Sequence, residues 1–425
     1  MLHLAYLPPS TSWGRILPEY MVPLDAPLPN HLAEEFTKFI LFADKFITDF
    51  RFAREDAEIT AVIVTTEIPV APDELARKLR IILYDHVFSR DMRQRRVVWE
   101  SRSQRGAGGT TFEQLAEQGA VFQIGPGQVA LGSPLLTVTD RIDSVLRRLA
   151  VERFEAREFS YPALIPATAL QRCGYLARFP QRAIFATHLR CDADVHRSFV
   201  ESVERATRIN FEVFGRCEEV RDVLAPAMCL HTFNHCADTV LPARMSAVTS
   251  KGRILRDGGR YHHALERLRD FTVREIVFIG SRNFVITARR RFMRQILTIV
   301  DMLEISARCE VANALFPNPQ GAAATPPSPH RFEEPKYELL LDVADDTAVA
   351  AASFNYHDRF YGQSFDIMTT DGETAYTACA GISLERFSYA FIGQHGSKAS
   401  AWPRAARYLL RTMADIADRT IGNGN

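Results

Sequence analysis

The stretch Arg253-Ile-Leu-Arg256, followed after a short interval by Phe271-Thr-Val-Arg-Glu-Ile-Val-Phe-Ile-Gly280, decides the fold. Glu275-Ile-Val-Phe-Ile is a short β-type run, and two more follow it, Tyr337-Glu-Leu-Leu-Leu-Asp-Val and Val349-Ala-Ala-Ala-Ser-Phe. An amphipathic helix over Pro134 to Glu155, with Ile142, Val145, Leu146 and Leu149 on one face, precedes them. A long helix follows around Asp194–Phe214, and another closes the chain near Pro403–Ala417. Strands framed by helices, without regular βαβ alternation, predict an α+β fold whose sheet is antiparallel and flanked by helices.

Upstream the pattern differs. Residues 1–30 are Pro-rich and read as extended. From Leu32 to Phe52 an apolar set (Phe36, Phe39, Ile40, Phe42, Phe46, Ile47, Phe50) recurs at helical spacing. Ile59-Thr-Ala-Val-Ile-Val-Thr then reads as a strand, Pro72 to Tyr84 as a helix and Arg96-Val-Val-Trp-Glu as a short strand. The glycine-rich Gln104-Arg-Gly-Ala-Gly-Gly-Thr has the composition of a joint. Two domains are therefore expected: an N-terminal α+β module over 1–105 and a larger catalytic body over 106–425. Phe316-Pro-Asn-Pro-Gln-Gly-Ala-Ala-Ala-Thr-Pro-Pro-Ser-Pro reads as a surface loop.

Charge narrows the function. The 425 residues carry 51 basic and 51 acidic side chains, which disfavours a surface that attracts nucleic acid or anionic membrane as a whole. Only 6 of the basic residues are Lys and 45 are Arg. Residues 1–110 hold 14 basic and 15 acidic groups, whereas 251–294 hold 12 basic against 4 acidic. Guanidinium forks match phosphate oxygens, so the second segment suits polyphosphate recognition; a solvated basic face is the plainer reading. No P-loop or dinucleotide-type glycine fingerprint occurs. No run approaches the roughly 18 apolar residues of a membrane span, and the first twenty residues lack the layout of a secretory signal. The seven Cys (173, 191, 217, 229, 236, 309, 379) are odd in number and scattered, unlike a disulfide framework. A cytoplasmic protein is expected.

Three pieces, in order, resemble the signature motifs of class II aminoacyl-tRNA synthetases. Ser160-Tyr-Pro-Ala-Leu-Ile-Pro166 resembles motif 1, whose proline lies at a dimer interface, so the resemblance implies a homodimer. Arg253–Arg256 with Phe271–Gly280 looks like the two strands of motif 2, and Ala380-Gly-Ile-Ser-Leu-Glu-Arg386-Phe like motif 3. Within that superfamily the chain is most similar to amino acid:carrier-protein ligases, truncated relatives of the zinc-dependent seryl-tRNA synthetases of methanogens. The likeness runs over about 112–415. It is carried by Ala163–Tyr175 with Arg178-Phe-Pro180, Pro226-Ala-Met-Cys229, Arg274-Glu275, Ala351–His357 and Thr377-Ala-Cys379.

The resemblance implies ATP-dependent activation of a small amino acid as an aminoacyl adenylate, then transfer to the phosphopantetheine thiol of a carrier protein. It implies a zinc ion on Cys229, Glu275 and Cys379, whose separations of 46 and 104 positions would not by themselves mark a metal site. His231, His235 and Cys236 are competing donors or neighbours of that site. By resemblance Arg256 grips the α-phosphate and substrate carboxylate, Arg386 the γ-phosphate, Glu338 binds Mg2+ and Asn355 lines the pocket. The sequence departs from the usual Arg-x-Glu at Arg256-Asp257-Gly258, and Thr272 replaces a frequent basic residue; Glu266, Asp257 or a shifted loop are the possible compensations. Alternatives are an enzyme that charges tRNA and a non-catalytic regulator. The near-neutral N-terminal module disfavours tRNA, because phosphate contacts dominate such binding.

Overall fold

The computed structural model describes residues 6–12, 15–55, 58–88, 96–103, 109–205, 209, 211–241, 246–257, 264–312, 334–343 and 347–410. The N-terminal part is an antiparallel sheet of β1 (Tyr6–Ser12), β2 (Arg15–Pro29), β3 (Ile47–Glu55) and β4 (Glu58–Thr66), in the order β1-β2-β4-β3. The Pro-rich start is thus extended, as expected, and hydrogen-bonded into the sheet. Helices Asn30–Ile40 and Pro72–Ile82 share a core with it, in which Phe36, Phe39, Leu75 and Leu79 join Val62 and Val64.

The helical reading of 32–52 is corrected: the helix stops at Ile40 and the chain re-enters as β3. Asp44 Oδ1 accepts the Phe46 N–H at 2.9 Å, a local turn that competes with helix continuation. Phe50 and Phe52 then share one face of a strand, a period of two that the preceding 3.6-residue pattern masks.

The strand predicted at 96–100 forms, as β5 (Val97–Glu100), but it pairs with the larger sheet rather than with β1–β4. After it come the hairpin β6 (Val121–Gly125) and β7 (Gln128–Leu131), β8 (Arg157–Phe159), and a small sheet of β9 (Leu164–Pro166), β10 (Phe185–Ala186) and β11 (Asp222–Leu224). The remaining strands are β12 (Ser246–Leu255), β13 (Asp270–Gly280), β14 (Ala307–Val311), β15 (Lys336–Asp342), β16 (Ala348–Asp358) and β17 (Tyr376–Ser383). The large sheet runs β5-β14-β15-β16-β17-β13-β12-β8 and is antiparallel except for β8 beside β12. The helix predicted around 194–214 spans Ala193–Arg205, and the last described helix is Arg404–Leu409. The Pro-rich 316–329, most of the 104–110 joint and Gly258 lie outside the described residues.

The period of two along each central strand gives the sheet two different faces. On β13, Ile276 and Phe278 enter one core with Phe292 and Ile296 of the helix Arg282–Met302 and with Phe387 and Phe391 of the helix Leu384–His395. Each such buried side chain contributes about 1.5–3 kcal/mol of transfer free energy. Val277 and Ile279 enter a second core with Phe233, Tyr361, Phe365 and Cys379. Arg274 points to the first face and is buried there. It binds both carboxylate oxygens of Asp143 at 2.7 and 3.0 Å and Glu158 at 2.9 Å, clamping the helix Leu135–Arg148 and β8 to the sheet. Glu275 points the other way, into the second core.

Candidate active site

Three side chains from separate stretches meet on that second face. β13 and β17 pair with Glu275 opposite Gly381 and Val277 opposite Cys379, so Glu275 and Cys379 are diagonal neighbours. A Cβ at Gly381 would stand 3.7 Å from the Glu275 carboxyl, an ordinary contact distance, so this position lies directly against that carboxyl. The third is Cys229, in the first turn of the helix Met228–His235, whose backbone N–H donates to Glu275 Oε2 at 3.0 Å. One ligand atom from each of Cys229, Glu275 and Cys379 lies within 4.8 Å of the other two, and all three residues are buried.

This is a poor place for three uncompensated anions. Burial pushes the Glu275 carboxyl up. The hydrogen bond with Cys379, then burial and the Glu275 charge, push the Cys229 thiol well above its usual range. For Cys379 the hydrogen bond with Cys229 acts downward, but burial and Glu275 outweigh it and the thiol is held up. A divalent cation would supply the missing counter-charge. Two thiolates and one carboxylate suit zinc and leave a fourth position open. Asn355, directly opposite Cys379 on β16, donates from Nδ2 to Cys379 Sγ at 3.6 Å.

The competing donors lie elsewhere. His231 stacks on Tyr161 (ring centroids 5.2 Å, 8°), and His235 Nδ1 shares a 3.0 Å hydrogen bond with the Tyr161 hydroxyl. Burial pushes His231 down to about 4. Among the described residues neither histidine nor Cys236 belongs to a three-residue ligand group.

The second half of the site is cationic. The guanidinium carbons of Arg256 and Arg386 each lie 5.2 Å from the centroid of the Phe271 ring. Arg256 is set by its backbone N–H, which donates to Arg269 O at 3.0 Å, and it has no ion pair among the described residues. Arg386, in the first turn of its helix, donates from Nη1 to Ala350 O at 3.0 Å, while its buried Nε has no hydrogen-bond partner. Burial pushes both guanidinium groups down to about 10. Arg182 and Arg386 add to this for Arg256, and Arg267 for Arg386. Both stay charged at neutral pH. Glu338 of β15, ion-paired with Lys336, acts on Arg386 in the opposite sense, as does Glu266. Arg256 also feels the Glu275 charge, which links the two halves.

All seven residues singled out in the sequence therefore fall within one region. Sequence reasoning missed Phe271, Arg182 and His357. Each sat inside a quoted stretch or beside one, but an aromatic platform, a third cation over Phe179 (5.4 Å) and a buried imidazole have no local signature. At position 272 the backbone N–H, which any residue but proline offers, donates to both carboxylate oxygens of Glu385 (2.8 and 2.9 Å), tying β13 to the residue beside Arg386.

No family model matches the chain. A curated relative from Bradyrhizobium diazoefficiens, named "Amino acid--[acyl-carrier-protein] ligase 2", is 30% identical over 280 residues, covering 64% of this chain and 79% of the relative. The chain belongs to the amino acid–acyl-carrier-protein ligase family. As a member of that family it is an enzyme of the ligase class, of the kind that works through aminoacyl adenylates. The ligase is also 25% identical over 303 residues to the type-2 serine–tRNA ligase of Methanococcus maripaludis, covering 69% of this chain and 58% of that protein. Its fold is that of class II aminoacyl-tRNA synthetases. The M. kandleri seryl-tRNA synthetase, solved in complex with A. aeolicus tRNASec, superposes with a TM-score of 0.66 at 19% identity, over 93% of this chain and 77% of that one. Among the ligase's described residues no helix is long and apolar enough to cross a membrane.

Proposed function

We propose that this ligase activates a small amino acid with ATP and passes it to the phosphopantetheine thiol of a carrier protein. The observation that carries the reading is the buried Cys229–Glu275–Cys379 donor set lying within electrostatic reach of Arg256. Cys229, Glu275 and Cys379 would hold a zinc ion, which would supply a Lewis acid for the neutral amine of an amino acid, a group that hydroxy acids lack. The substrate carboxylate then points toward the arginines. Two buried phenols, Tyr175 and Tyr361, feel the Cys229 charge and so lie near the donor set, and a small amino acid suits a site walled by such groups.

In the first step a carboxylate oxygen bonds to the α-phosphorus of ATP as the bond to pyrophosphate breaks. Arg256 holds the α-phosphate and the carboxylate, Arg386 the γ-phosphate, Glu338 the Mg2+ ion, and Asn355 lines the pocket. Charges fixed in advance, in a site partly closed to water, stabilise the transition state without reorganisation. In the second step the carrier thiol attacks the acyl carbon and AMP leaves, so no nucleophile of the ligase is required.

A carrier protein is favoured over tRNA by the N-terminal charges. Arg51, Arg77, Lys78 and Arg80 are engaged by Glu19, Glu74, Asp44 and Asp25, leaving them poorly placed to neutralise phosphates. The tRNA-charging reading draws on the structural likeness to the synthetase, whose 93% coverage of this chain extends beyond residues 106–425. The working form is a homodimer with the Pro166 segment at its interface, which sedimentation checks. Pyrophosphate exchange run over all amino acids tests the first step, and exchange with none contradicts it. Offering a phosphopantetheinylated carrier and tRNA side by side tests the second, and tRNA charging alone would replace the carrier reading.

A further inference from the structure

Cys379 has a second nitrogen neighbour besides Asn355. His357 Nε2 stands 3.7 Å from Cys379 Sγ, and its Nδ1 stands 3.3 Å from Thr377 Oγ1. The backbone makes this contact possible. β16 and β17 pair Asn355 with Cys379 and Tyr356 with Ala378, but Asp358 with Thr377, so His357 is the extra residue of a bulge. Bulges re-aim a side chain, and here the imidazole comes to lie between Cys379 and Thr377 on the second face of the sheet. Phe233 (5.8 Å, 87°) and Tyr361 (4.9 Å, 83°) meet the ring edge to face and hold its orientation. His357, Thr377 and Cys379 are all buried.

We infer that His357, with its tautomer set by Thr377, is a positioning residue that hydrogen-bonds the Cys379 sulfur and holds it as a metal ligand. A metal-bound thiolate can only accept, so Nε2 carries the proton and Nδ1 accepts from the Thr377 hydroxyl. Two N–H donors on one sulfur withdraw charge from it and fix its orientation toward the ligand group. Outer groups of this kind orient ligands, and their removal lowers metal affinity by about 10–100-fold. The inference rests on the zinc reading above.

The test measures zinc affinity of the whole protein by competition with a chromophoric chelator, and the thiolate-to-cobalt charge-transfer band after Co2+ replacement. His357→Leu should bind zinc about 10–100-fold more weakly and move the band to lower energy. His357→Gln, which keeps an N–H donor, should restore most of both, and Thr377→Val should shift both in the direction of His357→Leu but less. His357→Leu with wild-type affinity and an unmoved band overturns the inference while zinc binding stands. Should His357→Leu fail to fold, Thr377→Val with wild-type values overturns it equally. A wild-type protein that binds no zinc sinks the zinc reading itself, and the inference with it.

Discussion

Arg256 and Arg386 come from different motifs, yet their guanidinium groups stand over the same ring, that of Phe271. Two cations are thus held side by side, although each raises the cost of the other's charge. An aromatic platform partly offsets that repulsion, and a polyanion placed between the two would remove it. Arg256→Ala and Arg386→Ala should each lower pyrophosphate exchange by about 10²–10³-fold or more while leaving the fold intact. Retained exchange with an unchanged circular dichroism spectrum would show that the phosphates lie elsewhere.

The donor set predicts metal content. Purified protein should hold about one zinc ion per chain, read by elemental mass spectrometry. Cys229→Ser or Cys379→Ser should lose it together with activity. Metal-free wild-type protein with full exchange activity would refute the assignment.

Glu385 supplies a pH signature. Burial pushes its carboxyl up and outweighs the Thr272 N–H that acts the other way. The folded protein therefore keeps this proton to a higher pH than the unfolded chain, which titrates near 4.5. The group favours folding below that value, and its contribution is lost as pH rises through the raised one. Glu385→Gln, which cannot ionise, should melt above the wild type at about pH 8, with the gap closing toward about pH 4. A gap of equal size at both pH values would contradict this.

Asp143 tests the opposite face. It compensates the buried Arg274, so Asp143→Ala leaves a charge with only Glu158 as partner. Denaturant unfolding should show a loss of about 3–5 kcal/mol. Exchange activity below the melting point should survive, because Arg274 and the proposed ligand Glu275 point to opposite sides of β13. Loss of exchange from a protein still folded would show that the two faces are coupled.

The β-type runs that became β13, β15 and β16, the arginine-dense 251–294 and the three motifs were legible in the residues themselves. They depend on neighbours two to four positions apart or on a recognisable local string. The same local rules misread 32–52, where a helical spacing of phenylalanines continues across the Asp44 turn into a strand. They also grouped β5 with the N-terminal module, since a four-residue strand carries no mark of the sheet it will join.

By itself, then, the sequence determined the family, the kind of fold and which residue types could carry the chemistry. The resemblance names Cys229, Glu275 and Cys379, and the tertiary structure brings their ligand atoms together; only that structure decided that Phe271 serves both arginines and that His357 reaches Cys379. Those relationships depend on strand register, on the helix Met228–His235 docking through the Cys229 N–H, and on one bulge in β16. A one-residue change in register would turn each side chain to the other face, and no local pattern specifies that register across such distances in the chain.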